Sequence, residues 1–75
     1  MQEYEIVVTY CNGCAGSAHP QISFEEAELN DPAEYIRMKH SKDFSRFVKE
    51  IPETGKTVFK FDNGFLSYTY EFTKL

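Results

Sequence analysis

The sequence predicts a small α+β domain of order β-β-α-β-β, with a four-stranded sheet carrying helix on one face. Three stretches carry that expectation. Thr57 to Phe72 (TVFKF-DNG-FLSYTYEF) alternates apolar and polar residues on either side of Asn63-Gly64, the pair that a type I′ hairpin turn prefers. Asn30-Asp31-Pro32-Ala33-Glu34 is a helix start, with Asp31 suited to the N-cap, Pro32 to the first helical position and Glu34 to the third. Glu5 to Tyr10 (EIVVTY) is rich in β-branched residues and reads as a buried strand.

The remaining elements follow in order. CNGCAGSAHP, from Cys11 to Pro20, is made of small residues and turn formers, so it reads as a loop with at most one helical turn. Ile22 to Leu29 (ISFEEAEL) is a second strand in which Ile22 and Phe24 share one parity while Ala27 and Leu29 share the other. A β-bulge at Glu25-Glu26 would bring both pairs to the core side, and a helical turn is the alternative. Ala33, Ile36, Phe44, Phe47, Val48 and Ile51 then recur at helical spacing, with His40 on the same face. One helix from Pro32 to about Ile51 fits, as do two shorter ones with a break near Ser41. Pro52 and Gly55 end the helical region.

In the hairpin, a two-residue Asn63-Gly64 loop sets Phe61 opposite Leu66, Phe59 opposite Tyr68 and Thr57 opposite Tyr70. These residues share one face, extended by Phe72, and that face is expected to pack under Ile36, Phe44, Phe47 and Ile51.

Residues 1–75 form one domain near the low end for independent folding, a size that buries only roughly 60% of the surface its unfolded chain exposes. Aromatic residues make up 16% of the chain, which opposes disorder. The net charge of −4 opposes nucleic-acid binding, because phosphate contacts need a concentrated basic surface. No stretch approaches the roughly 20 apolar residues of a membrane span. MQEYEIVVTY lacks a basic n-region, so no signal peptide is expected and the cytoplasm is the expected location. There, two cysteines point more to metal or redox chemistry than to a structural disulfide.

Cys11-Asn12-Gly13-Cys14 is the most chemically pointed motif. Its spacing brings two thiols together if the backbone turns at Asn12-Gly13. Such a pair can exchange with disulfides when the first thiol is exposed and its pKa lowered. It can also hold a metal. Cys11, Cys14, His19 and His40 are formally a Cys2His2 set for zinc, and two copies of the chain could share an ion through their cysteines. Two buried, inert cysteines are the plainest reading.

The order of elements around this motif resembles the thioredoxin and glutaredoxin superfamily. Cys11 ends the first strand, SFEEAELNDPAEYI looks like a strand running into a helix, and Lys56 to Phe72 looks like the closing hairpin. The resemblance implies a truncated thioredoxin-like fold in which Cys11 is the attacking thiol and Cys14 the resolving one.

Two further patterns have ordinary explanations. Glu25, Glu26, Glu28, Asp31 and Glu34 precede or begin the expected helix, and Arg37, Lys39, Lys42, Arg46 and Lys49 follow, which complements a helix dipole. Lys39, Lys42, Arg46 and Lys49 would form one solvated stripe able to meet an acidic partner. Phe59, Phe61, Tyr68, Tyr70 and Phe72 imitate a base-stacking platform, but the helix needs that face. No phosphate loop or nucleophile elbow is present.

The expected function is thus a dithiol protein using Cys11 and Cys14 for thiol-disulfide, sulfur-transfer or electron-transfer work, without a bound cofactor. The alternative is a non-enzymatic interaction module organised by zinc or dimerisation. A protein partner is expected in either case, for a monomer or weak homodimer, with no role for nucleic acid or membrane.

Overall fold

A computed structural model describes residues 1–12 and 20–75. Among the described residues, five strands form one sheet: β1 (Gln2–Asn12), β2 (Gln21–Leu29), β3 (Val48–Glu53), β4 (Lys56–Asp62) and β5 (Leu66–Lys74). Their spatial order is β2-β1-β5-β4-β3, and every neighbouring pair is antiparallel. One α-helix, α1 (Pro32–Lys39), and a 3-10 turn at Phe44–Arg46 connect β2 to β3.

Strand parity places the core. Tyr4, Ile6, Val8 and Tyr10 share one face of β1, and the register sets Ile6 opposite Phe72, Val8 opposite Tyr70 and Tyr10 opposite Tyr68. β4 extends that face, with Phe59 opposite Tyr70 and Phe61 opposite Tyr68. Helix α1 lays Tyr35 and Ile36 across it, with Ala33, Phe44 and Phe47 packed at the margin. Ile6, Ile36 and Phe72 are fully buried. The Phe72 ring meets Tyr4, Tyr35 and Phe59 edge-on, at centroid distances of 6.3, 5.6 and 6.0 Å. This is the geometry that aromatic quadrupoles favour.

The start of α1 matches its expected chemistry. Asp31 is the N-cap, its Oδ1 accepts the Ala33 N–H at 2.9 Å, and Pro32 opens the first turn. The helix then stops at Lys39, where the His40 N–H still bonds to the Ile36 carbonyl at 2.7 Å. A helix to Ile51 does not form. Phe47 takes extended dihedrals and stacks its ring on Phe61 at 5.2 Å. Val48 to Glu53 then pairs with β4 as an edge strand. An edge tolerates Pro52, and the register is irregular between Glu50 and Glu53. The break near Ser41 is real, but the segment beyond it makes only a 3-10 turn.

The expected α+β layout, four strands under helix in a truncated thioredoxin-like order, is therefore corrected to a mostly β fold, with five antiparallel strands and one short α-helix among the described residues. Ile51, expected to pack on the aromatic face, and Val48, expected at the same helical spacing, are both exposed. The basic residues from Arg37 to Lys49 divide among α1, the turn and β3 rather than lining one helix. The bulge expected at Glu25-Glu26 is absent too, since β2 pairs with β1 in unbroken register from Gln21 to Leu29.

The hairpin keeps its aromatic face but changes register. Phe61 lies opposite Tyr68 and Phe59 opposite Tyr70, a slip of two residues that leaves side-chain parity intact. Only Gly64, at φ +91°, takes a positive φ in this loop, whereas a type I′ turn needs positive φ at both corners. Asn63 instead uses its side chain. Its Oδ1 accepts the Phe65 and Leu66 N–H groups at 2.9 and 2.7 Å, and its own N–H donates to the Leu66 carbonyl at 3.1 Å. The corner therefore moves to Gly64-Phe65.

Phe72→Ala is expected to lower unfolding free energy by about 3–5 kcal/mol, the usual cost of deleting a buried phenyl ring. Val48→Thr, at an exposed position of β3, is expected to change it by less than about 0.5 kcal/mol. Urea unfolding measures both. A large loss at Val48 would restore it to the core and contradict the β3 assignment.

Candidate functional site

Cys11 sits near the end of β1, opposite Ser67. Its odd parity points it away from the helix-covered face. It is buried, at 7% exposure, and disulfide-bonded. Cys14 and His19 lie outside the described residues.

His40 lies on the covered face. Its Nε2 is 2.6 Å from the Tyr70 hydroxyl, and its ring contacts Tyr68 and Phe47 at 4.6 and 5.1 Å. The sheet thus separates Cys11 from His40, so the structure does not bring these two members of the formal zinc set together. Among the described residues, no group of three or more His, Cys, Asp or Glu is placed to hold a metal.

Two polar contacts edge the aromatic core. The Tyr35 hydroxyl donates to Glu25 Oε2. Burial, and then that carboxylate, push the Tyr35 hydroxyl pKa up. Burial also pushes Tyr70 up to about 12, which keeps its hydroxyl protonated and able to donate to an unprotonated His40 Nε2. The same burial lowers the His40 pKa. Asp43 opposes that shift and Lys39 adds to it. These groups are mutually satisfied, and no buried side-chain polar atom among the described residues lacks a partner. They define the core margin.

The uncovered face differs between its two halves. On the β3-β4-β5 half, Val58 is buried between two ion pairs, Lys56–Glu71 and Lys60–Glu50, each 3.4 Å long. The lysine stems cover apolar surface while their charges remain in water. On the β1-β2 half, the register sets Glu3 opposite Glu28 and Glu5 opposite Glu26. Like charges directly opposed across a ladder repel, and among the described residues no ion pair reaches any of the four. Beside them Ile22 and Phe24 stand 58% and 71% exposed. Glu5, Phe24, Glu25 and Glu26 line a shallow hollow there.

Sequence reasoning missed this surface. Its signal was the parity conflict in ISFEEAEL. An unbroken β2 resolves that conflict by leaving Ile22 and Phe24 in solvent rather than bulging to bury them.

His40 generates a pH test. Its folded pKa lies below the unfolded value, so its contribution to stability is fully present above about pH 6.5. That contribution is lost as pH falls through the folded value, because the unfolded chain binds the proton first. Urea midpoints of the parent chain should drop between pH 7.5 and 5, and His40→Gln should flatten the slope. An equal slope in both would show that His40 titrates as it does in the unfolded chain.

The chain matches no family model, no curated protein and no solved structure.

Proposed function

We propose that this chain is a non-enzymatic protein-interaction module that works through the uncovered face of its sheet at the β1-β2 half. One observation carries the reading. Among the described residues, the helix and turn that cover the sheet lie on one side, and the other side keeps Ile22 and Phe24 in solvent beside carboxylates that no ion pair reaches. Apolar residues held exposed on a regular strand favour binding over folding, because burying them only required the bulge that the strand does not make. Burial of Cys11 supports the same reading, since an attacking thiol needs access.

A photo-crosslinking side chain at Phe24 tests the face. It should yield one defined protein adduct in the native host, and the complex should re-form from purified components. Phe24→Ser should abolish that complex while leaving the circular dichroism spectrum and melting temperature unchanged. A complex that forms equally well with Phe24→Ser would place binding elsewhere.

The disulfide at Cys11 favours a second reading, thiol-disulfide exchange in which Cys11 attacks and Cys14 resolves. Equilibration in glutathione buffers should then give a midpoint in the range of about −120 to −270 mV typical of exchanging dithiols. Turnover of a disulfide substrate should be lost in Cys11→Ser. A midpoint below about −300 mV without turnover would mark a structural bond and reject exchange.

A further inference from the structure

We propose that β2 is a docking edge that takes an extended basic segment of a partner protein as a sixth strand of the sheet. The inference rests on the interaction-module reading and names the occupant of that surface.

The two sheet edges are built differently. β3 is short, contains Pro52 and loses regular register between Glu50 and Glu53. These features block strand addition. β2 has none of them. It runs nine residues in unbroken register with β1, without proline or bulge. It is the outermost strand of the sheet, and among the described residues no backbone group pairs with its outer side. A long, regular edge of this kind is a template for main-chain hydrogen bonding.

Charge selects the occupant. On the uncovered face β2 presents Ile22, Phe24, Glu26 and Glu28 at alternate positions, with Glu5 and Glu3 behind the last two. An added antiparallel strand places one residue directly opposite each of these four. Lysine or arginine opposite Glu28 and Glu26 converts two repelling cross-strand rows into mixed-charge rows. Apolar residues opposite Phe24 and Ile22 cover the exposed side chains. The fitting segment reads basic-x-basic-x-apolar-x-apolar from its N-terminal end. A second copy of this chain fits poorly, because each copy carries a net charge of −4 and brings its own glutamates to the contact.

The test uses the full chain and a synthetic peptide, Thr-Lys-Thr-Lys-Thr-Val-Thr-Val. Backbone amide shifts on titration should change along β2 and not along β3. Glu26→Lys with Glu28→Lys should weaken binding at least tenfold. That variant removes like-charge pairs, so the fold is expected to persist, and amide spectra check it. A peptide N-methylated on its bonding edge, with its charges retained, should not bind. Equal binding of the N-methylated peptide, shifts centred on β3 or the helix face, an unaffected Glu26→Lys/Glu28→Lys variant, or β2 pairing between two copies would each overturn strand addition. The Phe24 crosslink separates the two levels. A Phe24-dependent partner that leaves the β2 edge unpaired sinks the strand but keeps the interaction face, and loss of both sinks the whole reading.

Discussion

The fold depends on pairing its first strand with its last. β1 and β5 lie at the centre of the sheet, and their register sets Ile6 directly against Phe72, both fully buried. This contact closes nearly the whole chain, so its loop entropy must be met before the flanking strands gain anything from it. Once it forms, β2 has an edge to join on one side and β4 on the other. The chain end reinforces the closure: the Leu75 N–H donates to the Glu3 carbonyl at 3.0 Å, and Gln2 Nε2 donates to the Leu75 carbonyl at 3.1 Å.

That central pair also dictates what the helix can do. Phe72 is fully enclosed only if Tyr35 and Ile36 close over it, and eight helical residues suffice for that. Beyond Lys39 the chain gains more by packing Phe47 on Phe61 and pairing Val48 to Glu53 with β4 than by continuing the helix over the sheet. His40 holds the end of the covered region through the Tyr70 hydroxyl. The covered face is thus satisfied and self-contained, and its histidine and tyrosines are explained by packing.

The other face is unevenly finished. Around Val58 the protein uses diagonal lysine–glutamate pairs to close a small apolar patch. Across β1 and β2 no such pair occurs among the described residues, and glutamates stand opposite glutamates. A chain that balances charge on one half of a face and leaves repulsion on the other accepts a small cost in stability. A cationic partner strand would offset that cost.

Local chemistry determined much of this protein directly from sequence. The Asp31-Pro32 helix start, the strand character of EIVVTY and the shared aromatic face of Phe59, Phe61, Tyr68, Tyr70 and Phe72 depend on neighbours a few residues apart, so pattern alone revealed them. The length of α1, the strand identity of Val48 to Glu53 and the hairpin corner were decided by tertiary structure. Val48 and Ile51 satisfy helical spacing and β-branched strand preference alike, and only the open edge of β4 chooses between them. Asn63-Gly64 likewise permits a tighter turn, but its side-chain bonds move the corner to Gly64-Phe65. The candidate surface was the least legible part. Opposed glutamates are invisible along one strand, because Glu3 meets Glu28 and Glu5 meets Glu26 only when an unbroken register brings β1 and β2 side by side.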